Sequence, residues 1–233
     1  MYKRQVNLCI EKNIEKLCYV SSIATLGEGV GLSIDEETEW NPETPNSVYA
    51  ITKYGAEIEV WRGIQEGLNA IIVNPGIIIG SGYFEGGSGV LFKKIYKGLR
   101  YYTNGTSGYI AVKDVVSCMH LLMEGDYTNN RYILVAENLS FKDAFSMIAE
   151  ALGVASPNKE VSPFLMKIAY YFQKVSNILF KVPQSIFKSS VRSAFLTKQY
   201  QNEKIKNTLH YNFIPISESI EETAVYFLEK YKR

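Results

Sequence analysis

The stretch NAIIVNPG (residues 69–76) decides how the chain folds. Its centre, Ile71, Ile72 and Val73, is apolar and β-branched, and Pro75 and Gly76 close it. A strand with one wet face alternates apolar and polar residues. A short unbroken apolar run bounded by turn residues instead predicts a strand covered on both sides. LCYVS (17–21) is a second run of the same kind, and the segment between the two reads as a long helix over 47–67, ending at Gly67. Farther out, GYIAV (108–112) and RYILV (131–135) read as strands. Helical periodicity predicts helices over 4–13, 90–98, 113–124, 140–152 and 217–230. This alternation predicts an α/β architecture on a parallel sheet, followed from about residue 158 by a mostly helical, aromatic part.

The formal net charge of +1, with 46% apolar and 21% charged residues, describes an ordinary soluble globular protein and argues against a nucleic-acid binder. Cys9, Cys18 and Cys118, with His120 and His210, show no metal-ligand spacing. Neither a metal site nor a disulfide framework is expected, and reduced, buried thiols of a cytoplasmic protein are. The opening MYKRQVNLCIEKN places its apolar residues on a helix face broken by charges, unlike a signal peptide. No apolar run long enough to span a bilayer occurs in the sequence.

SVYAITK (47–53) places Tyr49 and Lys53 one helical turn apart. The spacing means little by itself, because Tyr170/Lys174, Tyr200/Lys204 and Tyr226/Lys230 repeat it and read as helix-surface pairs. Context distinguishes the first pair. Ser22 follows a buried strand at its carboxyl end, where open α/β sheets bind ligands, and Asn74-Pro75-Gly76 ends the next strand in a turn. Hydride exchange between an alcohol and a ketone needs a proton donor or acceptor at the oxygen. A phenol, ordinarily titrating near 10, serves if its anion is favoured, and an ammonium one turn away supplies that charge. A serine hydroxyl can hold the substrate oxygen within reach of the phenol.

With SSIATLG, SVYAITK and IIVNPGIIIG in this order, the sequence resembles the extended branch of the short-chain dehydrogenase/reductase superfamily. It is most similar to the reductases of the dihydroflavonol reductase and 3β-hydroxysteroid dehydrogenase type, with the NAD-dependent epimerases and dehydratases as cousins. GTSGYIAVKDVV (105–116) resembles a late strand-and-helix element of that family, and QNEKIKNTLHYNFIPISESIEETAVYF (201–227) its C-terminal ending. The resemblance implies Ser22 as the substrate-orienting serine, Tyr49 as the acid/base, and Lys53 as the lysine that tunes it and binds the nicotinamide ribose. It also implies that Asn74, Pro75, Gly76 and Ile77 pack on the nicotinamide of NAD or NADP.

The family opens with a strand, a turn of the type G-x-x-G-x-x-G, and a residue that selects NAD or NADP, none of which occurs here. The expected organisation is therefore a partial Rossmann core over 1–80 without the glycine-rich half. Residues 81–233 would carry the remaining sheet elements, interleaved with the substrate-binding region. The strands missing from such an arrangement would flank LCYVS, and a chain lacking them is expected to bind a dinucleotide poorly.

Outside this constellation, Asp114 reads as a helix N-cap, His120 as a packed core residue, and Asp35, Glu36, Glu37 and Glu39 as a solvated loop. Arg192 lies where epimerases hold a diphosphate. From Val161 to Asn202 there are six basic residues and no acidic ones, with Lys167, Lys174, Lys181 and Lys188 at every seventh position beside an apolar face. That pattern fits a solvated helix stripe or a surface meeting anionic lipid.

The functional expectation is an NAD(P)-dependent reductase or dehydrogenase acting on a secondary alcohol or ketone, with a small, apolar substrate. A nucleotide-sugar epimerase or dehydratase and a non-catalytic binding module are the alternatives. Helices at the tyrosine and before it imply a homodimer by the same resemblance.

Overall fold

The computed structural model describes residues 2–27, 33–181 and 188–231, without the side chains of Leu179 and residues 188–190. In chain order the elements are α1 (Tyr2–Glu11), β1 (Leu17–Val20), a 3-10 turn (Ile23–Thr25), β2 (Ser33–Ile34), α2 (Val48–Gln65), β3 (Ala70–Pro75), β4 (Ile77–Ile79) and α3 (Gly89–Tyr96). They continue with β5 (Tyr101–Tyr102), β6 (Thr106–Ala111), α4 (Val112–Glu124), β7 (Asn130–Leu134), β8 (Glu137–Ser140) and α5 (Phe141–Ala151). The last are β9 (Lys159–Glu160), α6 (Pro163–Phe180), α7 (Lys188–Ser193), β10 (Gln199–Tyr200), α8 (Glu203–Leu209) and α9 (Ile216–Tyr231).

Two compact units emerge. The first comprises residues 1–80, 108–138 and 199–219, the second 81–107, 139–198 and 220–233. In the first, β3 is the middle strand of a parallel sheet of order β1-β3-β7. Leu17 pairs with Ala70 and Val20 with Val73 on one side of β3, and Ile71 pairs with Asn130 on the other. All six β3 residues are buried, as the unbroken run 69–74 requires. Ile72 packs with Val6, Tyr19, Ala56, Val60 and Leu68 on one face, under α1 and α2. On the other face, Ile71 and Val73 meet Ile110, Cys118, Leu122 and Ile205 beneath α4 and α8. The helices thus cover both sheet faces, and the expected α/β class is the observed one.

The expected turn at Asn74-Pro75-Gly76 is instead a change of sheet. Asn74 and Pro75 still pair with Ile133 and Leu134, and the Gly76 N–H donates to Leu134 O at 3.0 Å. Ile77 then begins β4, which runs parallel to β6 with Ile77 opposite Tyr109. Glycine permits the step: a Cβ on Gly76 would lie 2.4 Å from Gly108 O, so two backbones touch there.

Other expectations are revised. Asp114 is not the cap of α4, which Ala111 occupies without a side-chain bond. It is fully buried, accepting from the Tyr211 hydroxyl at 2.9 Å and Ile214 N–H at 3.0 Å, and it ties the chain after α8 to α4. Burial raises its carboxyl above the ordinary carboxylate value. His120 lies on the exposed side of α4 beside Glu124, because its apolar neighbours Val115, Cys118 and Leu122 take the buried side. Tyr200 belongs to no helix. It is buried in β10, where its N–H and C=O bond the Asn138 side chain. The cysteines are free thiols, of which Cys118 is buried while Cys9 and Cys18 are half-buried.

In the second unit, Phe84, Phe92, Tyr96, Phe227 and Tyr231 form an aromatic cluster. β5 pairs with β9 in parallel, and α6 is started by Ser162, whose Oγ accepts from Leu165 N–H, with Pro163 in its first turn.

Candidate functional site

Ser22, Lys53 and Asn74 gather at the carboxyl ends of β1 and β3. β1 delivers Ser21 and Ser22 to the sheet edge, where Ser22 caps the 3-10 turn by accepting from Ala24 N–H at 3.2 Å. Ser47 caps α2 in turn, accepting from Ala50 N–H at 3.0 Å, so the helix begins just before Tyr49. Tyr49 is 57% exposed. One turn on, Lys53 turns inward and donates its Nζ to Val20 O at 2.9 Å, two residues before Ser22. The ammonium also stands 5.4 Å from the centre of the Tyr19 ring.

Lys53 therefore reaches the end of the strand that leads into Ser22, with Tyr49 one turn earlier on α2. Among the described residues, the Tyr49 hydroxyl bonds neither of them. Burial pulls the Lys53 ammonium below its ordinary 10.5, and the nearby Glu57 carboxylate opposes that pull. Tyr19, beneath the pair, is pushed up to about 12, first by burial and then by Tyr2, Glu57 and Tyr49. Its hydroxyl is buried without a partner among the described residues.

Asn74 is fully buried at the end of β3, with Nδ2 2.9 Å from Thr25 Oγ1, 3.0 Å from Glu57 Oε2 and 3.2 Å from Ser22 O. It is part of the support under the site rather than of its surface. Pro75 is buried beside it, and Gly76 and Ile77 are half-buried.

Glu57 is a residue that sequence reasoning missed. It is buried, accepting from Ser21 Oγ at 2.5 Å and Thr25 Oγ1 at 2.8 Å as well as from Asn74. Its second oxygen faces Trp61 Nε1 at 3.3 Å and Arg131 Nη1 at 3.4 Å. A desolvated carboxylate is tolerated when surrounded by donors and a cation in this way. The signal was legible: Glu57 falls seven residues after Ala50 and three before Val60, on the helix stripe that packs inward. Arg131 also donates Nε to Glu36 O at 2.6 Å. Glu36 is buried, not solvated as expected, because its carboxylate accepts from Ile133 N–H at 2.8 Å, and burial raises its carboxyl above the ordinary value. The loop before α2 is further held by Trp40 stacked on Tyr54 at 4.4 Å.

The fold class is shared with solved enzymes. A nucleoside-diphosphate-sugar epimerase from Pseudomonas aeruginosa superimposes with a TM-score of 0.81 at 18% identity, over 97% of this chain and 70% of that one. The sequence carries the assignment further, since residues 3–135 match the NAD dependent epimerase/dehydratase family. The chain belongs to that family. A Synechocystis protein with the provisional name dihydroflavonol 4-reductase is 28% identical over 181 aligned positions, and the match covers 74% of this chain and 53% of that protein. The 3beta-hydroxysteroid-dehydrogenase/decarboxylase isoform 1 of Arabidopsis thaliana is 25% identical over 240 aligned positions, gaps included, and the match covers 94% of this chain and 54% of that protein. The chain spans about half the length of the curated relatives it matches.

Proposed function

We propose that the chain carries the proton-transfer site of an NAD(P)-dependent oxidoreductase acting on a secondary alcohol or ketone. The observation that carries this reading is the Lys53 ammonium fixed at Val20 O, two residues before Ser22, while Tyr49, one turn earlier on α2, exposes its side chain. An ammonium has three protons, and the bond to Val20 uses one, leaving two for a ribose hydroxyl or a phenolate. Tyr49 moves the proton at the substrate oxygen, Lys53 favours the phenolate by its charge, and Ser22 Oγ orients that oxygen. The residues at this edge fit the nicotinamide end of NAD or NADP, with Asn74 and the buried Pro75 supporting the half-buried Gly76 and Ile77, which would pack on the ring. When bound, the cofactor supplies hydride exchange at the carbon.

The substrate in this reading is a small, apolar molecule, in keeping with the relatives named for flavonol and steroid chemistry. The family match favours a second reading, a nucleotide-sugar epimerase or dehydratase using the same three side chains. That enzyme would return NAD unchanged after each cycle, whereas a reductase releases it altered. For the chain as a homodimer, α2 offers exposed Ile51 and Ile58.

Titration calorimetry with NADH and NADPH, followed by turnover on secondary alcohols and ketones, tests the proposal. Tyr49→Phe is expected to lower turnover by a factor of about 100 or more while leaving nucleotide binding intact. Absence of nucleotide binding rules out catalysis by this chain alone and favours a non-catalytic binding module, whereas full activity in Tyr49→Phe sinks the proton-transfer role.

A further inference from the structure

Helix α6 is amphipathic in the reverse of the usual sense. A surface helix ordinarily buries its apolar stripe and wets its polar one. Here Phe164, Ile168, Tyr171, Phe172, Val175 and Ile178 share one face and are each between 49% and 74% exposed. The half-buried positions Met166, Ala169, Gln173 and Ser176 lie on the opposite side, so the helix packs by its weaker face. Among the described residues no helix is long and apolar enough to cross a membrane. At 18 residues α6 extends about 27 Å, sufficient to lie along an interface.

Charge decides what covers this face. Lys167, Lys174 and Lys181 are exposed and recur every seven residues, so they line one edge of the apolar stripe, with Lys174 one turn from both Tyr171 and Ile178. Six basic and no acidic residues fall between Val161 and Asn202, while the whole chain carries only +1. The charged residues of α6 and its C-cap are thus all positive, and the chain outside 161–202 is net acidic. A second copy docked through α6 would set lysine rows of like charge together. An anionic lipid surface accepts both the apolar side chains and the lysines. We propose that α6 is an interfacial helix that docks this protein on anionic membranes, with its axis in the plane of the headgroups and the Phe172 face turned into the acyl boundary. This inference stands independently of the catalytic reading.

Co-sedimentation of the purified chain with vesicles tests it, using phosphatidylcholine alone and phosphatidylcholine mixed with phosphatidylserine. Binding is expected only to the mixed vesicles and should weaken as salt rises. Lys174→Gln should lower the partition coefficient about fivefold. Phe172→Asp combined with Ile178→Asp should abolish binding with an unchanged circular-dichroism spectrum, since both side chains are exposed. Equal binding to both vesicle types, no binding to either, or lipid binding indifferent to the double substitution overturns the proposal. So does a wild-type dimer that the double substitution splits in sedimentation velocity without any vesicle association.

Discussion

Asn74, the penultimate residue of β3, donates its side-chain amide to Glu57 of α2 at 3.0 Å, and neither residue is accessible to solvent beyond 1%. Through Glu57 the same contact reaches Ser21 at the end of β1 and Thr25 in the turn that follows. Two strand ends and the helix bearing Tyr49 and Lys53 are therefore pinned to one carboxylate. The positions of the proposed catalytic side chains are set from beneath.

Glu57→Ala should be among the most damaging single substitutions in the chain. It removes the acceptor of the Ser21 hydroxyl, one of the acceptors shared by Thr25 Oγ1 and the Asn74 amide, and the carboxylate that faces the Arg131 guanidinium. The expected loss is about 3 to 5 kcal/mol, read as a fall in the urea midpoint. Glu57→Gln keeps the volume but turns one acceptor oxygen into a donor, and should cost about 1 to 3 kcal/mol.

Ser22→Ala separates structure from chemistry at the strand end. The Oγ caps only a single 3-10 turn at 3.2 Å, so its loss should cost about 1 kcal/mol. Ser22→Ala should nevertheless lower turnover well beyond what that small destabilisation explains. A mutant with wild-type turnover and a lowered melting temperature would leave Ser22 a cap and nothing more.

Much of this was readable in the chain. The β1 and β3 runs and the helix between them follow from local patterns that tertiary structure did not override. Three of the errors share a cause. What buries Glu36, Asp114 and Tyr200 comes from far along the chain: Ile133 N–H for Glu36, Tyr211 and Ile214 for Asp114, Asn138 for Tyr200. Partners at such separations leave no periodic trace. The sheet change at Gly76 was hidden for a similar reason, because Pro-Gly spells a turn locally and only the Gly108 backbone shows why it is not one.

Alkaline instability is expected from the buried acids. Tyr19 is pushed from 10.0 up to about 12 and Cys118 from 9.0 up to about 12, each chiefly by burial. A folded state that holds these protons more tightly than the unfolded chain is favoured below the ordinary values and loses that advantage as pH rises through the folded ones. Lys53, lowered from 10.5 by burial, acts in the opposite sense, its cost being relieved as pH approaches 10.5. With Tyr109 and Tyr200 also raised by burial, the net effect should be a fall in stability from about pH 9 upward, followed by urea unfolding at stepped pH. Tyr19→Phe should shallow that fall and cost little at neutral pH, since the hydroxyl it deletes has no partner among the described residues.

Glycines 55 and 76 should respond to alanine with opposite signs. Gly55 is an exposed residue within α2 where an added Cβ would meet nothing within 4 Å. A helix interior favours alanine over glycine, so Gly55→Ala should stabilise by about 0.5 to 1 kcal/mol. At Gly76 the added carbon would fall 2.4 Å from Gly108 O and 2.7 Å from its carbonyl carbon, atoms that belong to the paired strand β6 and cannot rotate away. Gly76→Ala must therefore push β4 off β6, at a cost of about 1 to 3 kcal/mol or more. Thermal melts of the two variants beside the parent read both signs in one experiment. Equal or reversed shifts would mean that β3 and β4 are not joined by the close backbone step between Gly76 and Gly108.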